Sequence, residues 1–123
     1  MLGSEKLMAF VATAKPESAR GFYRDTLGLQ LVDENPFALV FDLNGTMLRV
    51  TRVEKVDPRP YTVLGWQVAD VTAMARQLRD AGVKLKRYPG MDQDELAVWT
   101  APGGAKVAWF EDPDGNVLSV AEA

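Results

Sequence analysis

The chain has 123 residues, 47% hydrophobic and 25% charged, a composition typical of one soluble globular domain with its own core. Its net charge of −3 and the lack of a basic run argue against nucleic acid and membrane surfaces as partners. It contains no cysteine and no histidine, which excludes disulfides, thiol catalysis and the commonest transition-metal ligand. Without a signal-like N-terminus or a membrane-length apolar run, the predicted location is the cytoplasm.

The first half of the chain predicts a strand, a helix and three further strands. The strand is expected over 7–13, and the helix begins at Pro16, which suits a first turn, and stops at Gly28. The three strands that follow are predicted at 29–32, 38–42 and 47–53. Asn44 and Gly45 between the last two are a strong hairpin signal.

The second half repeats this order after a charged, proline-containing linker at 54–60. A strand over 62–68 precedes a helix over 71–81 that Gly82 ends. Three more strands are predicted at 83–86, 107–110 and 117–120, with a further extended piece at 96–99.

Two offsets align the halves and suggest an internal duplication. At an offset of 55 residues Met8 matches Val63, and at an offset of 70 Asp42 matches Asp112. Chance alternation of helices and strands is the competing explanation. The paired turn-and-strand segments argue against it.

The segment FEDPDGNVLSV, residues 110–120, raises the question of a cation-binding loop. An EF-hand would place glycine sixth and glutamate twelfth, whereas Gly115 is fourth from Asp112 and Glu122 is eleventh. An Asp-Pro-Asp-Gly run is better explained as a tight turn.

The segments ESARGFYRDTLGL (17–29), VADVTAMARQLRDAGV (68–83) and FEDPDGNVLSV resemble the vicinal oxygen chelate superfamily, which includes glyoxalase I, bleomycin-resistance proteins and extradiol dioxygenases. The resemblance implies an α+β fold in which two tandem βαβββ modules, about 5–55 and 60–123, form a single domain. Their curved mixed sheet would form a cup that holds a small molecule, with helices on the outer face. It also implies a homodimer.

In metal-dependent members of that superfamily, four strand positions supply His, Glu or Gln ligands. Carried over by the resemblance, these positions become Met8, Arg49, Val63 and Ser119. None is a good ligand for a divalent cation, and the arginine would repel one. The sequence therefore predicts no metal and no cofactor, and it argues against glyoxalase I or dioxygenase activity.

Side-chain alternation extends these four positions to a set of cup-lining residues. In the strand before the last, the resemblance directs Trp109 and Glu111 inward, with Leu39 and Phe41 as their counterparts in the first module. The predicted ligand-binding residues are Met8, Phe10, Met47, Arg49, Gln67, Trp109, Glu111 and Ser119. Core packing is the competing role for the methionines, and an ion pair with Glu111 or a neighbouring acid is the competing role for Arg49.

The connection YPGMDQDELAVWTAPGG, residues 88–104, is long for a compact domain. Tyr88 and Trp99 are candidates to close over the cup. Three acids there suggest a hard-cation site, although a solvated acidic loop is the simpler interpretation.

Three functions are consistent with these features. The first is metal-independent binding of a small molecule, similar to sequestration by bleomycin-resistance proteins. The second is a lyase or isomerase that uses Glu111 as acid or base and Arg49 to hold an anion. The third is an interaction module whose cup is filled by side chains.

Overall fold

A computed structural model describes all residues from Met1 to Ala123. The chain divides into two compact units, Met1–Asp57 and Pro58–Ala123, which we call module one and module two. Neither module contains a helix that is long and apolar enough to cross a membrane.

Module one consists of four strands and one irregular helix. Its elements are β1 Met8–Thr13, α1 Pro16–Arg20, a π-helical continuation Gly21–Thr26, β2 Gln30–Glu34, β3 Ala38–Leu43 and β4 Thr46–Arg52. The helix begins at a proline, whose missing N–H would be unpaired at this position in any case. It stops before Gly28, whose φ of 78° is one that residues with a Cβ rarely adopt.

The sheet of module one has the order β1-β4-β3-β2, with β1 parallel to β4 and the other pairs antiparallel. One face carries fully buried side chains, among them Leu48, Val50 and Phe41. The Phe41 ring lies 5.9 Å from the ring of Tyr23 in the helix. The helix therefore covers this face, and the core of module one lies between them.

Module two consists of β5 Thr62–Gln67, α2 Val71–Asp80, β6 Trp99–Thr100, β7 Lys106–Glu111 and β8 Val117–Ala121. Asp70 caps the helix by accepting a hydrogen bond from the Ala73 N–H at 3.0 Å. The sheet order is β5-β8-β7-β6, the same connectivity as in module one. Val71, Ala75 and Leu78 form the buried stripe of α2.

The strand predicted at 83–86 is wrong. Leu85 forms only an isolated bridge with Phe110, and the Lys86 N–H donates to the Trp109 carbonyl at 2.8 Å. The remaining part of β7 pairs instead with the two-residue strand β6, where Trp99 lies opposite Val107. Two separate segments thus share one edge of β7, so neither forms a long strand.

The strand registers support the predicted duplication. In module one Phe10 lies opposite Arg49. The residue 55 positions after Phe10 is Gly65 and the residue 70 positions after Arg49 is Ser119, and these two lie opposite each other in module two. A bulge interrupts the match, because Thr62 rather than Val63 pairs with Val117. The fold is an α+β fold of two βαβββ modules, each with its own four-stranded mixed sheet.

Candidate functional site

The face of the module one sheet opposite the helix exposes large apolar side chains. Relative exposure is 57% for Phe10, 43% for Met8 and 39% for Met47. Met8 and Met47 are register partners, and Phe10 is the partner of Arg49. The sheet therefore brings these four predicted ligand residues together on one open surface.

Arg49 is the cation of this surface. Its side chain is half-buried among apolar neighbours, and it makes no hydrogen bond or ion pair with any other residue. Within module one no acidic side chain pairs with Arg49, and in module two the Glu111 carboxylate is paired with Lys86. A guanidinium with all of its donors free can bind a carboxylate or phosphate through two hydrogen bonds.

The corresponding face of module two contains an open groove of about 280 Å³. The groove brings together Gln67 and Ser119, which were predicted from the sequence, with Gly65 and Glu122. A Cβ on Gly65 would lie only 2.8 Å from the Ser119 Oγ, so the groove has its present width because residue 65 lacks a side chain.

An aromatic cluster of Tyr88, Trp99 and Trp109 stands on the same face, because Trp109 is the register partner of Ser119. The Trp109 ring makes an edge contact with the Tyr88 ring at a centroid distance of 5.4 Å. Its distance from the Trp99 ring is 6.2 Å. Such a cluster offers a large, rigid apolar surface to a ligand.

Glu111 continues this row, as predicted, but it is exposed and its carboxylate forms an ion pair with the Lys86 ammonium. The Lys86 Nζ also lies 5.6 Å from the centroid of the Tyr88 ring. No role for Lys86 was predicted from the sequence. The one indication in the sequence was an alternating pattern that places Lys86 and Tyr88 on the same side of an extended segment.

The predicted counterparts of Trp109 and Glu111 are wrong. Leu39 and Phe41 pair with Val50 and Leu48 on the helix-covered face. The residues that occupy the equivalent register positions are Val40, opposite Arg49, and Asp42, opposite Met47. Counted from these register pairs, the connection between β7 and β8 is one residue longer than the connection between β3 and β4. A constant offset therefore misplaces the counterparts by one residue, and a shift of one residue moves a side chain to the other face of the strand.

Trp66 is half-buried and packs against the core of module two. Its ring stacks on Phe110 with the ring centroids 6.4 Å apart, and both lie on the face of the sheet that packs toward α2. Val63 is exposed at the bulge and lies outside the paired row, so it does not correspond in register to Met8.

The four positions to which the sequence resemblance assigned metal ligands do not fit a metal. Met8, Arg49, Val63 and Ser119 provide a thioether, a cation, a hydrocarbon and one hydroxyl. No group of three or more His, Cys, Asp or Glu residues that could hold a metal occurs in the structure. The side chains at these positions are suited to contacts with an organic ligand instead.

The Asp112–Asn116 segment is a turn that is closed by its own hydrogen bonds. The buried Asp112 carboxylate accepts from the N–H groups of Asp114 and Asn116, each at 2.9 Å, and from the Asn116 side-chain amide at 2.8 Å. These donors occupy the oxygens that a cation would need. Gly115 has a φ of 86°, which explains the glycine.

The 88–104 connection is a braced segment with a buried centre. The Gln93 side chain bonds the Tyr88 N–H and the carbonyls of Lys86 and Ala97, at 2.7 to 2.9 Å. The Asp94 carboxylate accepts from the N–H groups of Leu96 and Val98. Asp94 thus has a structural role, in contrast to the hard-cation site suggested by the acidic residues.

The chain belongs to the Glyoxalase/Bleomycin resistance protein/Dioxygenase superfamily, whose family model matches residues 7–120. A comparison with curated proteins found no significant match.

Solved structures share the fold. A lactoylglutathione lyase from Agrobacterium tumefaciens is 19% identical with a TM-score of 0.74, over 100% of this chain and 96% of that one. A superfamily member from Sphaerobacter thermophilus is 24% identical with a TM-score of 0.73, over the whole of both chains. A glyoxalase family protein from Enterococcus faecalis is 20% identical with a TM-score of 0.70, over 99% of this chain and 100% of that one.

Proposed function

We propose that the chain is a metal-independent small-molecule-binding protein that sequesters its ligand, as bleomycin-resistance proteins do. The observation that carries the proposal is the open face of module two. There a groove of about 280 Å³ passes Ser119, and the rings of Tyr88, Trp99 and Trp109 stand on the same sheet face. Apolar walls with a few polar groups are typical of small-molecule sites.

The open face of module one supports the same proposal. Phe10, Met8 and Met47 surround a guanidinium that has no partner within the chain. Exposed apolar side chains and an unpaired Arg49 are suited to a ligand that has an apolar body and an anionic group.

Fluorescence titration tests the proposal with two probes, bleomycin and the aromatic anion 8-anilinonaphthalene-1-sulfonate. We expect saturable binding of at least one probe, weakened about tenfold or more by Trp109→Ala, because stacking on this ring is lost. Phe37→Ala is the matched control, since Phe37 is an exposed aromatic residue far from the aromatic cluster in sequence. Equal affinities of the two variants, or no saturable binding of either probe, would contradict the proposal.

The lyase or isomerase alternative depends on Glu111 acting as an acid or base. The exposure of Glu111 and its ion pair with Lys86 favour a binding role over proton transfer. Glu111→Gln distinguishes the two functions. A binder keeps most of its affinity for the probe, whereas an enzyme would lose turnover while still binding its substrate.

Three further properties are proposed from the sequence and the family. We propose that the purified protein contains no stoichiometric divalent metal, and about one zinc, iron or nickel per chain in elemental analysis would refute this. A homodimer is proposed on the resemblance, and sedimentation as a monomer at micromolar concentration would refute it. We also propose a cytoplasmic location.

A further inference from the structure

Module two has a second groove, of about 230 Å³, beyond the C-terminal end of α2. It runs between the helix end and the braced 88–104 connection. Its lining residues are Arg79, Val83, Lys84, Leu85, Arg87, Glu95, Leu96 and Ala97. Three of these are cations and one is an acid, so the groove is positively charged.

The second groove is separate from the ligand face proposed above. Leu85 in its lining forms a bridge with Phe110, whose ring stacks on Trp66 on the side of the sheet that packs toward α2. Lys86, the next residue, pairs with Glu111 on the opposite face. The chain therefore contributes neighbouring residues to two sites of different chemistry.

Arg87 is the fixed cation of the groove. Its Nη2 donates to the carbonyls of Asp94 and Glu95 at 2.8 and 3.0 Å. The Nε and Nη1 groups make no hydrogen bond within the chain. A guanidinium that is held at one nitrogen and free at the other two loses little conformational freedom when it binds an anion.

The other two cations differ from each other. Arg79 is paired with Asp80 at 3.0 Å, which reduces its attraction for a ligand. Lys84 makes no ion pair or hydrogen bond, so its ammonium is available. Arg87 and Lys84 together are therefore the anion-binding pair of the groove.

The floor of the groove is apolar and rigid. Val83, Leu96 and Ala97 are all buried. Ala97 has a φ of 60°, an uncommon conformation for a residue other than glycine. The hydrogen bond from the Ala97 N–H to the Asp94 carbonyl at 2.9 Å and the one from the Gln93 side chain to the Ala97 carbonyl at 2.8 Å hold this conformation. Backbone strain of this kind concentrates at functional sites.

We propose that this groove binds a small organic anion, a carboxylate or a phosphate monoester joined to an apolar body. Arg87 and Lys84 hold the anionic group, and the buried floor contacts the apolar part.

Amide chemical-shift titrations of the full ¹⁵N-labelled chain test this proposal with phenyl phosphate, benzoate, benzyl alcohol and inorganic phosphate. We expect saturable shifts at residues 84–87 and 95–97 with phenyl phosphate, benzoate or both, and the stronger of the two identifies the anion. Benzyl alcohol, which lacks the charge, and inorganic phosphate, which lacks the apolar body, should each bind at least tenfold more weakly. Equal binding of either control compound would overturn the proposal, as would shifts confined to residues near Ser119.

Two variants test the assigned cations. Arg87→Gln should weaken binding about tenfold, since a charged hydrogen-bonded partner is lost, and Lys84→Gln should weaken it about threefold or more. Arg76→Gln is the control, because Arg76 is exposed on α2 and does not line the groove. If Arg87→Gln alters the fold of the connection, Lys84→Gln alone decides, because Lys84 has no partner to lose. Affinities equal to that of Arg76→Gln would overturn the proposal.

Discussion

The two modules share one strand order, but the side chains at equivalent positions of their open faces differ in size and charge. Module one places Phe10 opposite Arg49, whereas module two places Gly65 opposite Ser119. The open face of module one carries a large ring and a guanidinium, whereas the open face of module two has a groove next to a hydroxyl. The shared strand order thus fixes where side chains point, and the residue types decide which face has room for a ligand.

The edge strand that follows the helix shows a second difference between the modules. In module one β2 has five residues, whereas in module two its counterpart β6 has two. The chain between α2 and β6 supplies Tyr88 to one face and Arg87 to the other. The segment that precedes the short edge strand therefore contributes residues to both proposed sites of module two.

The largest expected effect tests whether the two cores are equivalent. Phe41 and Phe110 are both buried on the helix-covered faces, and their register partners are Leu48 and Leu118. Phe41→Ala and Phe110→Ala should each lower the free energy of unfolding by about 3–5 kcal/mol, because each leaves a cavity in a packed core. Urea unfolding measures the loss.

An exposed phenylalanine is the control for this pair of variants. Phe37→Ala should change the unfolding free energy by less than about 0.5 kcal/mol, since Phe37 is 74% exposed. If only one of the two core variants were strongly destabilised, the modules would not have equivalent cores and the comparison would fail.

The next largest effect on the free energy of unfolding is expected at the turns that begin at Asp42 and Asp112. Asp112 is buried and accepts hydrogen bonds from both backbone and side-chain donors, whereas Asp42 is exposed and accepts from the Gly45 N–H at 3.2 Å. Asp112→Ala should cost about 2–4 kcal/mol, because it leaves buried donors unpaired, and Asp42→Ala less than about 1 kcal/mol.

Urea unfolding of both variants measures this difference. Asp112→Asn should give an intermediate loss, since the amide keeps one acceptor oxygen but cannot accept from the Asn116 amide at its nitrogen. Equal losses for Asp112→Ala and Asp42→Ala would show that the turn of module two is no more important than its counterpart.

A smaller effect tests whether the groove of module two depends on the missing side chain of Gly65. Gly65→Ala places a Cβ 2.8 Å from the Ser119 Oγ, and we expect a loss of about 1–2 kcal/mol because Ser119 must shift. Adding Ser119→Ala should recover at least half of the loss, since the clashing oxygen is removed. Gly103→Ala is the control, because nothing lies within 4 Å of the position that its Cβ would take. No loss in Gly65→Ala would show that the groove does not depend on glycine.

Periodicity and turn residues were sufficient to predict most of the fold. Asn44 and Gly45 both have positive φ, 51° and 93°, as the hairpin signal required. The register partners of Phe10 and Gly65 follow from the two offsets. Local chemistry was therefore enough to predict most elements, and the two offsets predicted their repeated order.

The features that the sequence did not predict depend on contacts between distant residues. The 83–86 segment has strand-like alternation, yet 88–98 folds back on itself through Gln93 and Asp94 and leaves the other end of the β7 edge to Trp99. The pairing of Lys86 with Glu111 joins residues 25 positions apart. Leu39 and Phe41 were misplaced because the connection between the last two strands is one residue longer in module two.

The smallest expected difference lies in the ion pairs of module one. Arg20 and Arg52 both reach the Glu34 carboxylate, and the hydrogen bond from Arg20 lowers the pKa of Glu34 below its ordinary value of 4.5. A lowered pKa in the folded state means that the stabilisation is present above pH 4.5 and is lost as the pH falls through the folded value. Glu34→Gln should therefore melt slightly below the wild type at pH 7, and the gap should close in acid.

Thermal unfolding from about pH 7 to about pH 2.5 measures this gap. Glu54→Gln is the matched control, because Glu54 is exposed in the same module and has no ion pair, so its gap should stay near zero throughout. A gap for Glu34→Gln that stayed constant or widened toward low pH would mean that the arginines contribute through packing of their stems and not through the charge of Glu34. The charge of Glu34 would then not distinguish module one from module two.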